Sequence, residues 1–390
     1  MWPPPEALHG QDRILHQGTS KNPERPLRTS DVQRNRWREA IDSGGTTKTH
    51  FAVPARGTAP DSGFPGFPPE GPGAGTLRQG GQLRRVASTY GHTVIPMHRT
   101  DSTGPDPGLD ELLEGVPSLV SPPLVCMKLL DILESDSGSA AQMGEVIAQD
   151  PNLTSRLLRL VNSAFYNLPS PVETVSRAIT IIGTRDLYNL VLAISATATF
   201  SGLSPRLVNI DTFWRHSLYC GLIARNLARR LNVLHPERLF VSGLLHDVGA
   251  LVLYTRAADA AKELLLVAAG DEAVFHLAEL DQLGFSHAEI GAIIMREWRL
   301  SPAQQEAIAH HHQPGRAGQA PLETAIVHLA DVMANRSDIG NFCEAVAPEA
   351  RFDPAALEIA GLEEAALDPE QAVAEAGLQF AETVSVMFAR

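Results

Sequence analysis

A histidine and an aspartate stand side by side within an apolar stretch of this chain. His246 and Asp247 interrupt the run 242–249, whose other residues are typical of a buried helix. A carboxylate beside an imidazole is costly to bury unless another group compensates both side chains. A divalent cation is the expected partner, because imidazole nitrogen and carboxylate oxygen are its common ligands. The fold must therefore bring further polar ligands to this point.

Other candidate ligands lie before and after this pair. We predict a metal site made of seven residues, which are His216, His246, Asp247, His287, His311, His312 and Asp331. Helices predicted over 214–231, 236–247 and 322–334 carry four of these residues, so the four can converge in the core of a helical bundle. The cofactor expected at this site is a divalent metal such as iron or manganese.

Each residue of this series also has a structural explanation that needs no metal. His216 can pack on Trp214 near a helix start, and His287 can be a surface residue in a first helical turn. The three histidines at 310–312 precede a Gln-Pro step, where the end of a helix favours positive charge. Asp331 lies within an apolar run and needs a buried partner, which is either a metal or an ion pair.

The residues from 109 onward have the apolar spacing of helices. Leu109, Leu112 and Leu113 begin a series of three- and four-residue steps, and no stretch shows sustained alternation with period two. Asp150 followed by Pro151 predicts a capped helix start. The predicted fold class is all-α, a multi-helix bundle with a disordered N-terminal extension.

Four sections are predicted along the chain. Residues 1–107 form a Pro/Gly/Arg-rich extension, 108–205 an N-terminal helical subdomain, 206–320 a subdomain with most of the ligands, and 321–390 C-terminal helices that complete its bundle. The helices of the last section are rich in Ala and Glu, as in 363–376.

The extension differs from the rest of the chain in composition and in charge. Residues 1–100 hold 12 of the 28 prolines and 13 of the 31 glycines, and they carry 13 Lys and Arg against 8 Asp and Glu. Residues 101–390 carry 19 against 37. Such a prefix cannot bury enough apolar surface to order itself. It is interpreted as an inert tail, a weakly basic binding tail, or sequence upstream of a start at Met97.

The order of the ligands resembles the H…HD…D pattern of the HD superfamily of metal-dependent phosphohydrolases. The surrounding segments resemble its HDOD branch, the HD-related output domains of bacterial signalling proteins. The matching segments are QDPNLT (149–154), LLRLVNSAFY (157–166), AITIIG (178–183), FWRHS (213–217), LLHDVG (244–249) and LAD (329–331). The resemblance implies that 108–320 forms an HDOD domain whose second subdomain, 206–320, is HD-like.

The superfamily resemblance implies hydrolysis of a phosphate ester by a metal-activated water, because a divalent cation lowers the pKa of the water and offsets phosphoryl charge. It further implies one metal held by His216, His246, Asp247 and Asp331, and a second metal or a phosphate held by His287 with His311 or His312. Active cyclic-dinucleotide phosphodiesterases have a lysine where this chain has Ala250 and a GYP segment that this chain lacks. The HDOD branch itself implies an output or adaptor module.

Three functional hypotheses follow. The first is a regulatory module that binds a signalling protein partner or a ligand and has a vestigial or structural metal site. The second is an active metal phosphohydrolase, and the third is an adaptor whose tail binds nucleic acid or a membrane surface.

Other classes of protein have no support in the sequence. We find no DNA-binding motif, nucleotide-binding Gly-rich loop, signal peptide or apolar run of about 20 residues. Cys126, Cys220 and Cys343 lack paired spacing and are typical of reduced thiols. The expected location is the cytoplasm.

Overall fold

The computed structural model describes residues 108–114, 120–200, 203, 205, 207–337, 340 and 350–388. All regular elements within these ranges are helices, which confirms the predicted all-α class. The predicted disordered extension at 1–107 lies outside the described residues, and so does Cys343. Cys126 and Cys220 are buried free thiols.

The first group of helices precedes the ligand series. It comprises α1 (Leu109–Leu113), α2 (Leu124–Glu134), α3 (Ala140–Ala148), α4 (Pro151–Val161), α5 (Val175–Ile182) and α6 (Thr184–Phe200). The predicted start of α4 is confirmed, because the Asp150 carboxylate accepts hydrogen bonds from the backbone N–H groups of Asn152 and Leu153. Within the described ranges, no single helix has the length and apolarity of a bilayer span, and α5 and α6 reach them only as a pair bent by 119°.

The second group is built around a central helix. It comprises α7 (Ile210–Arg230), α8 (Glu237–Leu245), α9 (Val248–Arg256), α10 (Ala258–Ala268), α11 (Glu272–Gln282), α12 (His287–Glu297), α13 (Pro302–Ala309) and α14 (Pro321–Asn335). Helix α7 is buried along most of its length and packs against α8 and α14. A Cβ at Gly221 of α7 would lie 2.7 Å from the Phe240 carbonyl oxygen of α8. This approach needs glycine, and it brings His216 of α7 close to His246.

The three helices predicted to carry ligands are present with shifted ends. Helix α7 starts four residues before the predicted 214, because the Asn209 side chain accepts a hydrogen bond from the backbone N–H of Asp211 and caps the helix there. Helix α14 extends the predicted 322–334 by one residue at each end.

The predicted helix over 236–247 is wrong at its C-terminal end. Helix α8 ends at Leu245, and Asp247 precedes α9 without making a capping hydrogen bond to it. The chain changes direction here because α9 packs tightly on α12, where a Cβ at Gly249 would lie 2.0 Å from the His287 carbonyl oxygen. The break leaves the Asp247 carboxylate available to the interior.

The last helices connect the two groups. Helices α15 (Pro354–Ala360) and α16 (Pro369–Met387) are separated by a 3₁₀ turn at Glu364–Ala366. The Ala- and Glu-rich segment 363–376 comprises this turn and the first part of α16, because the proline at 369 disfavours helical backbone in the residue before it. Arg156 of α4 donates from Nε to the Val386 carbonyl (2.7 Å) and from Nη2 to the Met387 carbonyl (2.6 Å). These bonds fix the end of α16, which also packs on α7, to the first group.

Candidate metal centre

The seven predicted ligands come together in the core of the second group. They belong to α7, the turn between α8 and α9, the start of α12, the segment after α13, and α14. All seven side chains are almost fully enclosed, and the most exposed of them, His312, keeps only 8% of its side-chain surface. The structure therefore joins residues that are separated by more than a hundred positions in the chain.

One half of the cluster contains His216, His246, Asp247 and Asp331. His216 Nε2 lies 3.2 Å from Asp331 Oδ1 and 3.4 Å from His246 Nε2. Asp247 Oδ2 lies 3.3 Å from His246 Nε2 and 3.8 Å from His216 Nε2. Asp331 Oδ1 is 3.7 Å from His246 Nε2. Each of the two imidazole nitrogens thus lies within 3.8 Å of both carboxylate oxygens.

The other half uses the second oxygen of the same aspartate. Asp247 Oδ1 lies 3.2 Å from His287 Nε2 and 3.7 Å from His311 Nε2. His312 Nε2 is 3.0 Å from His287 Nε2. Asp247 therefore directs one oxygen to each half, so the two halves share it.

Three of the imidazoles are oriented by backbone carbonyl groups on the side away from the cluster. Nδ1 of His216 contacts the Gly340 carbonyl oxygen at 2.7 Å, and Nδ1 of His246 contacts the carbonyl of Gly243 at 2.8 Å. Nδ1 of His311 contacts the carbonyl of Ile308 at 2.7 Å. Because a carbonyl only accepts, Nδ1 carries the proton, and Nε2 of a neutral ring directs a lone pair into the cluster. This is the usual arrangement of histidines that bind metals.

His287 is oriented in the same way by a carboxylate. Its Nδ1 lies 2.6 Å from Glu279 Oε2, and its backbone N–H donates to the same oxygen at 3.2 Å. The predicted alternative, in which His287 is a surface residue of a first turn, is therefore wrong about exposure: the side chain is 1% exposed. It does start α12, where Ser286 is the cap.

Three residues near the centre were not predicted from the sequence, and all three belong to α11. Glu272, His276 and Glu279 lie on one face of the helix and are buried among the ligands. The ring of His276 lies 4.4 Å from that of His312, centroid to centroid. The only signal for these residues in the sequence is their spacing of four and three, which is equally typical of an ordinary helix face.

The buried charged groups of the cluster shift one another's pKa values. Burial lowers the pKa of His287, but the Glu279 and Asp247 carboxylates outweigh it and raise the pKa to about 10. Burial, followed by repulsion from Asp331 and Asp247, raises the pKa of Glu272 well above its usual value. Protons on such groups compensate buried negative charge, and a divalent cation would provide the same compensation while the imidazoles stay neutral.

Unsatisfied atoms and spacing test whether a metal suits these residues. Asp247 Oδ2 and His311 Nε2 are buried and make no hydrogen bond with any described residue. Ligands about 2.1 Å from a common ion lie about 3.0–3.4 Å apart in octahedral or tetrahedral arrangements. The closest pairs in each half, at 3.0–3.4 Å, match this spacing. The residues present fit two divalent ions of a type that accepts both nitrogen and oxygen ligands.

The fold and this cluster define the class of protein as a helical bundle of the HD type. The HDOD domain family matches residues 119–314, half of the chain. The chain belongs to the HDOD domain family. A relative from Treponema pallidum (strain Nichols), an uncharacterised protein, is 25% identical in an alignment of 232 residues that covers 57% of this chain. The match covers 43% of the length of that relative.

Two solved structures share the fold. An HDOD domain protein of unknown function from Geobacter sulfurreducens is 23% identical, with a TM-score of 0.55 over 70% of this chain and 96% of that one. A protein from Shewanella amazonensis SB2B with a provisional phosphohydrolase name is 24% identical, with a TM-score of 0.53 over 71% of this chain and 97% of that one. At these identities the likeness shows the fold alone.

Proposed function

We propose that this chain is a signal output module whose core binds a pair of divalent metal ions that set its conformation. The observation that carries the proposal is the enclosure of a full set of metal-type ligands from five parts of the chain, none with more than 8% of its side-chain surface exposed. A ligand that binds only the assembled arrangement stabilises it by mass action. Metal occupancy would thereby control the relative positions of α7, α9, α12 and α14. Membership of the HDOD family supports the idea that a partner protein binds in response to this change.

Contacts among the proposed ligands hold the helices around the centre together. His216 and Asp331 hold α7 against α14, and Asp247 joins this half to His287 at the start of α12. A bound divalent pair would supply the positive charge that these carboxylates require. The ion-pair partners found for Asp247 and Asp331 in the described part of the chain are histidines, so no permanent cation replaces the metal there.

Elemental analysis of the purified full chain tests the proposal. We expect about two equivalents of a divalent metal, lost in Asp247→Ala and retained in Asp281→Ala, an exposed aspartate on α11. Metal in excess of its Kd by about a thousandfold should stabilise the protein by about 4 kcal/mol for each occupied site, measured as a shift in thermal unfolding. A folded chain that binds no iron, manganese or zinc would contradict the proposal.

A phosphohydrolase is a second candidate function, favoured by the sharing of Asp247 between the two halves. Catalytic sites with two metals use such a pair to hold both oxygens of a displacement at phosphorus. Ala250 and the enclosure of the ligands argue against it, because a substrate phosphate needs a cation and an open face. Metal-loaded protein that hydrolyses bis(p-nitrophenyl) phosphate, with the turnover abolished in His246→Ala, would establish this function instead.

The third hypothesis, a tail that binds nucleic acid or a membrane surface, depends on residues outside the described ranges. Deletion of 1–107 tests it, since salt-sensitive binding should disappear with the tail.

A further inference from the structure

Glu272 lies between the two halves of the centre. It is the first residue of α11, follows the capping residue Asp271, and is 4% exposed. A carboxylate oxygen of Glu272 lies within 4.8 Å of the ligand atoms of His216, His246 and Asp247. A carboxylate oxygen of Glu272 also lies within 4.8 Å of the ligand atoms in the other half, which belong to Asp247, His287, His311 and His312. Asp247 and Glu272 are the two residues that belong to both groups.

The two oxygens of Glu272 have different surroundings. One, Oε2, accepts a hydrogen bond from Asn335 Nδ2, which also contacts Asp331 Oδ1 at 2.8 Å. The other, Oε1, is buried, makes no hydrogen bond with any described residue, and lies 3.9 Å from His312 Nε2. An unsatisfied carboxylate oxygen in a protein core is costly, so the position indicates a cation partner.

The number of buried negative charges also indicates a cation partner for Glu272. Two divalent cations carry four positive charges, whereas Asp247 and Asp331 offset only two of them. Glu272 supplies a third negative charge, and Glu279, which contacts His287 Nδ1, supplies a fourth. Buried charges are tolerated when they are paired, so this set of four carboxylates matches a dinuclear divalent centre.

We propose that Glu272 is a metal ligand shared by the two halves, a second carboxylate in the role proposed for Asp247. This inference rests on the proposed function, because it needs the metal pair. A protein carboxylate at a shared position also leaves less room for a phosphate oxygen there. Glu272 therefore supports a metal centre that stabilises a conformation, and it argues against a centre that hydrolyses phosphate esters.

The experiment compares Glu272→Gln with the wild-type full chain and with Glu263→Gln, an exposed residue on α10. Each protein is freed of metal with a chelator and titrated with Mn²⁺ alone. Glutamine has nearly the same shape, and its amide oxygen can still accept the hydrogen bond from Asn335, so only the charge and the metal-binding oxygen are changed. We expect at least one Mn²⁺ to bind about tenfold or more weakly in Glu272→Gln, which is about 1.4 kcal/mol, while Glu263→Gln binds as the wild type does.

Thermal unfolding of the metal-free proteins separates a ligand from a structural residue. If Glu272 is a ligand, metal-free Glu272→Gln unfolds at or above the temperature of the metal-free wild type, and only the Mn²⁺-dependent shift becomes smaller. Two strong Mn²⁺ sites in Glu272→Gln would overturn the inference while leaving the proposed function intact. A wild type without Mn²⁺ binding would overturn both. If the glutamine variant does not fold, Glu272→Asp, which withdraws the carboxylate by one methylene, should weaken Mn²⁺ binding in the same way, and unchanged binding would overturn the inference.

Discussion

The orientation of His287 by Glu279 leads to a quantitative prediction. Glu279 is fully buried, and one of its oxygens accepts from both His287 Nδ1 at 2.6 Å and the His287 backbone N–H at 3.2 Å. Hydrogen bonds to a charged group contribute about 1.5–3 kcal/mol. Replacement of the partner that orients a metal-binding histidine typically weakens metal binding about 10- to 100-fold, which is the same range of free energy. We therefore expect Glu279→Gln to bind metal about 10- to 100-fold more weakly in the half that contains His287.

The assay is competition for Mn²⁺ between the protein and a chelator of known affinity. Glu289→Gln is a matched control, because its carboxylate accepts from the Ser286 backbone N–H at the start of the same helix but faces solvent. The control should alter folding stability slightly and metal affinity very little. Equal metal affinities for Glu279→Gln and Glu289→Gln would refute the reasoning that a buried carboxylate sets the basicity and direction of His287.

Three further predictions concern stability. Gly249→Ala should destabilise the protein by about 3 kcal/mol in urea unfolding, because its Cβ would meet the backbone of α12; wild-type stability would contradict the tight packing. Glu237→Leu should cost about 3–5 kcal/mol by leaving the buried Arg225 unpaired. Glu237→Leu combined with Arg225→Met should cost far less, and additive effects of the two substitutions would argue against a coupled pair. Backbone N–H groups of 318–320 outweigh burial and lower the pKa of Glu306. Its stabilising effect exists above the ordinary carboxyl pKa and is lost as pH falls, so the difference in Tm from Glu306→Gln should shrink between about pH 6 and about pH 3.

Local chemistry made much of the fold predictable. Asp150 with Pro151 predicts the start of α4, and Gly183 with its positive φ separates α5 from α6 as the residue types indicate. The end of α8 was harder to predict from the sequence, because the apolar spacing continues beyond it. The break there depends on how closely α9 packs on α12, a contact between segments about forty residues apart.

The same distinction applies to the centre. The seven ligands could be selected because histidines and aspartates in or beside apolar runs are unusual, and the structure places all seven in one cluster. Their metal role stays a prediction. Glu272, His276 and Glu279 could not be selected, because acidic and polar residues at helical spacing normally face solvent. Their importance arises only from the way α11 lies against the ligands.

The attachment of α16 has a consequence for the order in which the fold can form. Arg156 donates to the carbonyl groups of Val386 and Met387, which lie 230 and 231 residues later. During synthesis the first group of helices therefore emerges from the ribosome with a guanidinium whose native acceptors have not yet been made. A product truncated before residue 386 would leave this buried cation without its carbonyl partners. We expect cellular proteases to remove such a product more readily than a chain that retains them.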